Sequence, residues 1–175
     1  TYSNFEPYNA NQMFACFDQP DLKGTYAFTI TAPAGWQVVS NSVTPEPEAL
    51  DDARSVWRFP TTPRLSTYVT ALVAGPYHAE RREYRGIPMG VFCRRSLASH
   101  LDAEEILDVT RRGFDYFEEL FGRPYPFTKY DQLFVPEFNA GAMENAGAVT
   151  LLEDYVFRSK VTDAAYERRA ETILH

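Results

Sequence analysis

The residues best placed to do chemistry lie in one stretch, Asn139-Ala140-Gly141-Ala142-Met143-Glu144-Asn145-Ala146-Gly147. It holds a single carboxylate and two amides among glycines and alanines, with little bulk around them. Glycine lets a backbone approach a ligand closely and tolerates the conformations of a sharp turn. A carboxylate in such a setting can meet a cation or a hydrogen-bond donor on that ligand. On spacing alone, a hairpin loop carrying a solvated Glu144 is an equal reading. Other candidates are thinner. His175 closes the sequence, and from the residues alone it reads as solvated. His78 and His100 belong to no ligand pattern and read as surface or core residues. Cys16 and Cys93 are too few for a disulfide framework and read as buried free thiols.

These residues need a scaffold, and the sequence can build one. At 175 residues the chain holds one domain or two small ones. Hydrophobic residues make up 45% and aromatic residues 15%, which places it among globular chains and not disordered ones. A net charge of −7 argues against a nucleic-acid footprint, which needs a basic face. No apolar run approaches a membrane span and no signal peptide is visible, so the reading is cytoplasmic. Both ends read as cut. Tyr2-Ser3-Asn4-Phe5-Glu6 has the character of mid-domain sequence, and nothing stops the last helix after Leu174.

Strand signals recur through the first half: Tyr26 to Thr31, Trp36 to Val39, Ser55 to Phe59, Tyr68 to Ala74, Tyr77 to Tyr84 and Ile87 to Cys93. Short turns between them indicate an antiparallel sheet or sandwich. After Ser99 the period changes. Ile106, Val109, Gly113, Phe114, Phe117, Leu120 and Phe121 share a helical face. Asp102 and Glu105 have capping-box spacing at its start, and Gly122 with Pro124 ends it. Gln132 to Val135 leads into the acidic loop as a strand, and Ala148 to Leu152 leaves it as another. A final helix from Ala164 presents Tyr166, Ala170, Ile173 and Leu174, with Thr162 or Asp163 able to cap it. The fold class is therefore mostly β with an α/β continuation, in two parts, residues 1–85 and 86–175.

Gly141-Ala142-Met143-Glu144-Asn145 reads G-A-M-E-N and resembles the exopeptidase motif of the aminopeptidase N family of zinc metallopeptidases. Phe5-Glu6-Pro7 followed by Phe14-Ala15-Cys16-Phe17-Asp18-Gln19-Pro20 is similar to that family's F-E-P…F-x-C-F-D-x-P segment. Phe121-Gly122-Arg123-Pro124-Tyr125-Pro126, with Lys129 and Asp131, resembles its F-G-x-x-Y-P-x-x-K-x-D. The resemblance covers essentially the whole chain in order. It implies that residues 1–85 are the latter part of an antiparallel β-saddle domain. Residues 86–175 would open a thermolysin-like α/β catalytic domain, cut at the first zinc-ligand histidine.

By this resemblance, Glu144 pairs with the free α-ammonium of a peptide substrate, and Glu6 is a second acid at the same place. Gly141 and Ala142 offer backbone groups to the peptide. Met143 and Asn145 complete the motif, although Met143 weighs more towards packing by its apolar type. Asn4 stands where relatives often carry Gln, so its amide has shorter reach. Glu171-Thr172-Ile173-Leu174-His175 matches the approach to the family's H-E-x-x-H helix, which makes His175 the first zinc ligand of the parent enzyme. One imidazole cannot assemble a tetrahedral site, so neither bound zinc nor activity is expected of this stretch alone. Unpaired sheet edges and an unfinished helix lead to an expectation of self-association through apolar surface. Two alternatives stay open: a non-catalytic scaffold of the same fold, and a bifunctional epoxide-hydrolase-type aminopeptidase.

Overall fold

The computed structural model describes residues Thr1–His175, which form two compact units. One comprises Thr1–Tyr77 together with Met143–Val149. The other comprises His78–Ala142 with Thr150–His175.

The first unit is all β. Strands β1 (Thr29–Pro33), β3 (Glu48–Ala49) and β4 (Arg54–Arg58) make a three-stranded sheet in the order β1-β4-β3, with Ile30 opposite Trp57. Strands β2 (Gln37–Ser40) and β5 (Leu72–Gly75) make an antiparallel pair, with Val39 opposite Val73. Alternation along β1 turns Ile30 and Ala32 inward. They meet Trp57 and Phe59 as well as Val38 and Ala74, so side chains of both sheets share one core. The first strand begins later than its apolar run. Tyr26 donates from its backbone to Thr62 Oγ1 at 3.0 Å and accepts from Thr62 N at 2.9 Å, while Phe59 N donates to the Phe28 carbonyl at 2.9 Å. The Tyr26 and Phe28 rings stack at 6.0 Å. The Tyr68 to Ala74 run likewise opens as a 3-10 turn (Thr67–Val69) before β5.

A five-stranded sheet, most of whose residues belong to the second unit, is ordered β6-β7-β8-β10-β9: β6 (Tyr77–Tyr84), β7 (Ile87–Arg94), β8 (Tyr130–Val135), β9 (Ala142–Met143) and β10 (Ala148–Leu152). Strands β7 and β8 are parallel, with Met89 opposite Tyr130, and α1 (Ala103–Phe121) is the crossover that a parallel pair requires. Met89 to Cys93 and Asp131 to Val135 are buried without alternation, as parallel strands covered on both faces are.

Both helices begin and end within a residue or so of their sequence signals, yet their faces differ from expectation. The buried stripe of α1 is Ala103, Ile106, Leu107, Thr110, Gly113 and Phe114. Leu120 and Phe121, expected on the inner face, are 57% and 68% exposed. Gly122 ends the helix in the left-handed region. Asp102 makes no capping bond from its side chain. It accepts instead from Arg169 of α2 (Asp163–Leu174), as Glu105 does. On α2 the buried residues are Arg169 and Ile173, while Tyr166 and Leu174 remain partly exposed. Thr162 also caps without a side-chain bond. Cys93 is buried, but Cys16 is only half-buried, which corrects the reading of two buried thiols; both are free. His78 lies 3.0 Å from Glu80, and His100 is exposed. No helix is long and apolar enough to cross a membrane.

Candidate amine-recognition site

The acidic loop leaves β8 and returns as β10. Within it, exposure alternates in the manner of a strand. Met143 is buried, Glu144 is exposed and Asn145 is buried again. The inward side chains on both sides fix the direction in which Glu144 projects. A tight turn follows, in which Ala148 N donates to the Asn145 carbonyl at 3.0 Å. Gly147 occupies its third position with φ of 69°, a backbone conformation that costs glycine nothing and any other residue strain. The loop therefore presents one carboxylate on a segment anchored before and after it.

The sequence-predicted residues distribute over both units. Glu144, Met143, Asn145, Asn4 and Glu6 belong to the first. Glu6 is exposed and follows Phe5, which is buried and packs edge-on against Phe14 at 5.9 Å. Asn9 Nδ2 donates to the Glu6 carbonyl at 3.3 Å. Asn4 is half-buried and lines an open cleft of about 430 Å³ with Asn9, Gln12 and Met13. Gly141, Ala142 and His175 belong to the second unit. Gly141 is exposed, and its carbonyl accepts from Leu152 N at 3.0 Å.

His175 follows the last turn of α2 and is exposed, its backbone N–H donating to the Glu171 carbonyl at 2.9 Å. Two attachments fix this helix. Arg169 Nη2 donates to Asp102 at 3.0 Å and to Glu105 at 2.5 Å, and Nη1 donates to the Tyr155 carbonyl at 3.2 Å. Its guanidinium lies over the Phe157 and Tyr166 rings, 4.7 and 5.1 Å from their centroids. One turn from His175, Thr172 shares a hydroxyl–hydroxyl hydrogen bond of 3.0 Å with Tyr155. A Cβ at Gly141 would stand 3.4 Å from that same Tyr155 hydroxyl. As to a metal, no three His, Cys, Asp or Glu side chains of this chain converge. His175 contributes one nitrogen donor, so these residues do not make a tetrahedral zinc site by themselves.

Sequence reasoning passed over Asn41, Tyr155 and Arg169. Asn41 is buried, and its amide bonds to Val69, Ala71 and Ala146. Those partners lie 28, 30 and 105 residues away, which no local pattern reveals. Arg169 had no local signal either, because its acidic partners on α1 lie 67 and 64 residues away.

Comparison with known proteins bears on what such a loop recognises. The model of the peptidase M1 N-terminal domain matches residues 1–69, and that of the peptidase family M1 domain matches residues 105–175. An aminopeptidase N of Streptomyces lividans is 61% identical over 99% of this chain. The mitochondrial aminopeptidase 2 of Saccharomyces cerevisiae is 34% identical over 99%, and human glutamyl aminopeptidase 30% over 98%. The chain spans 20%, 18% and 18% of the lengths of these three relatives.

Proposed function

Since the chain belongs to peptidase family M1, we propose that it is the amine-recognising part of a zinc-dependent aminopeptidase that removes N-terminal residues from peptides. The observation that carries this reading is the intact G-A-M-E-N loop, with Glu144 turned to solvent between buried Met143 and Asn145. A carboxylate held this way binds the α-ammonium of a peptide through charge-assisted hydrogen bonds, worth about 1.5–3 kcal/mol. Against an internal peptide bond the discrimination is larger, because a neutral amide leaves the carboxylate without its charged partner. Glu6 adds a second acceptor from the same unit, and Asn4 an amide. The backbone of Gly141 and Ala142 aligns the peptide in extended form.

His175 is assigned to zinc in the full-length protein on the family's H-E-x-x-H pattern, with the remaining donors outside this chain. Zinc, when bound, supplies the polarisation of the scissile carbonyl and an activated water. The residues of this chain hold the substrate amine and orient the helix that bears His175. Residues 1–85 are assigned to the β-saddle domain and 86–175 to the thermolysin-like domain.

The test is hydrolysis by the full-length protein of an amino-acid anilide and of its N-acetylated counterpart. Turnover of the free amine alone, abolished by a chelator and restored by zinc, is the expected result. Equal turnover of both substrates, or activity indifferent to chelation, would exclude this function.

A further inference from the structure

We infer that Asn41 is a positioning residue for amine recognition, holding the segment after Glu144 and the segment leading to Glu6 on one hydrogen-bonded frame. This inference rests on the reading of Glu144 and Glu6 given above. Asn41 follows β2 directly and is 6% exposed. Its Nδ2 donates to the Val69 carbonyl at 2.9 Å and to the Ala146 carbonyl at 2.8 Å. Its Oδ1 accepts from Ala71 N at 2.9 Å. Ala146 N donates in turn to the Val69 carbonyl at 3.2 Å. Both polar groups of Ala146, two residues beyond Glu144, are thus tied to one small set of atoms.

The other side of the frame reaches towards Glu6. Ser40 Oγ donates to the Ala71 carbonyl at 2.7 Å, so Ser40 and Asn41 hold the Ala71 backbone through its carbonyl and its N–H. The next residue, Leu72, donates from its N–H to Ser3 Oγ at 2.8 Å and accepts from Ser3 N at 2.8 Å. Ser3 precedes Glu6 by three residues. The path from Glu144 to Glu6 therefore runs through Asn145 and Ala146, Asn41, Ala71, Leu72 and Ser3, all within one compact unit.

Only a primary amide meets the demands at position 41. It offers two donors and an acceptor at the reach of one methylene. Aspartate keeps the acceptor but turns a carboxylate towards the Val69 and Ala146 carbonyls, with neither donor. Serine is too short and carries one proton. Leucine leaves buried polar groups of Ala71 and Ala146 without partners. A loop that loses the bond to the Ala146 carbonyl keeps only the Ala146 N–H tie to Val69, which lets Glu144 drift relative to Glu6, and positional errors of an ångström at such sites cost on the order of 100-fold in rate.

The experiment compares full-length wild type, Asn41→Asp, Asn41→Ser, Thr44→Val and Glu144→Gln by the ratio of kcat/KM for a free-amine anilide to that for its N-acetyl form, with zinc content measured throughout. Thr44 Oγ1 donates to the Val38 carbonyl in the same unit but has no bond to the loop. Both Asn41 variants should keep zinc and lose about 10- to 100-fold of the ratio, while Thr44→Val keeps it. Asn41 variants that fold, bind zinc and retain the full ratio while Glu144→Gln loses it would overturn the positioning role alone. If Glu144→Gln itself retains the ratio, the reading of Glu144 falls and takes this one with it. Should neither Asn41 variant fold, amide exchange in the unmodified protein decides. Segments holding Ala71 and Ala146 exchanging together as one protected unit support the frame, and an Ala146 amide exchanging at the rate of an open loop overturns it.

Discussion

At the scale of single residues, Glu144 and Asn41 differ in how far their partners lie along the chain. Glu144 could be singled out as a candidate because its setting is local: the flanking small residues, Met143, Asn145 and the glycine turn all fall within a few positions. Asn41 could not, because the groups it joins come together only in the folded unit. The cysteines divide on the same ground. Cys93 lies in a parallel strand buried on both faces, and burial, with Glu153 nearby, pushes its thiol up to about 11. The folded protein then keeps that proton to about pH 11, whereas the unfolded chain releases it near 9. Between these values the unfolded state binds fewer protons, so this contribution to stability is complete below pH 9 and fades as the pH rises through 11. Urea unfolding of the chain between pH 8 and 11 should show that decline, and Cys93→Ala should flatten it. A thiol reagent at pH 8 should label the native chain at half-buried Cys16 and leave Cys93 untouched until denaturant is added. Equal labelling of both would refute the placement of Cys93.

Among the elements, the helices could be read closely in extent and less well in orientation. Periodicity and the Gly122 stop delimit α1, but several apolar faces were available to an aromatic-rich helix, and packing selected Ile106, Leu107 and Phe114 over Leu120 and Phe121. The acids at the start of α1 had a second use that capping rules do not anticipate. With Arg169 they attach α2 to α1, the guanidinium being 1% exposed while Asp102 and Glu105 remain 45% and 36% exposed. Because both carboxylates keep water, Arg169→Ala should cost about 3 kcal/mol, the low end for breaking a buried ion pair. Arg169→Met, which retains volume under the Phe157 and Tyr166 rings, should cost less. Urea midpoints of the two variants decide, and equal losses would place the stability in the charge instead of the packing. Gly90 in β7 gives a sharper case. A Cβ there would meet the Phe92 ring and stand 2.5 Å from Asp131 Oδ1, whose carboxylate pairs with buried Lys129 at 2.8 Å. Gly90→Ala should destabilise by about 1–3 kcal/mol through overpacking. Unchanged unfolding of that variant would mean the strand is looser than described.

For the whole molecule, two compact units each carry part of the candidate machinery: Glu144, Glu6 and Asn4 in one, Gly141, Ala142 and His175 in the other. The change of period in the sequence suggested a division near residue 85, whereas the compact units are Thr1–Tyr77 with Met143–Val149 and His78–Ala142 with Thr150–His175. The sequence did not show that Met143–Val149 joins the first unit, because this depends on Asn41 and Val69 bonding to Ala146. Expressed alone, the chain supplies one candidate metal donor and leaves Phe17, Phe121 and Tyr8 exposed at 83%, 68% and 67%. It should therefore retain no stoichiometric zinc after dialysis, hydrolyse no amino-acid anilide and associate in solution. One tightly held zinc per chain with turnover, or a monodisperse monomer, would contradict this. The central claim is that Glu144 recognises the substrate amine, and the most direct measurement is steady-state kinetics of full-length Glu144→Gln on free-amine and N-acetylated anilides. Glutamine keeps shape and hydrogen bonding but removes the charge. The account predicts a loss of about 10- to 150-fold in kcat/KM for the free amine, equivalent to about 1.5–3 kcal/mol, with zinc content unchanged. Loss of zinc from the variant, or undiminished preference for the free amine, would contradict it.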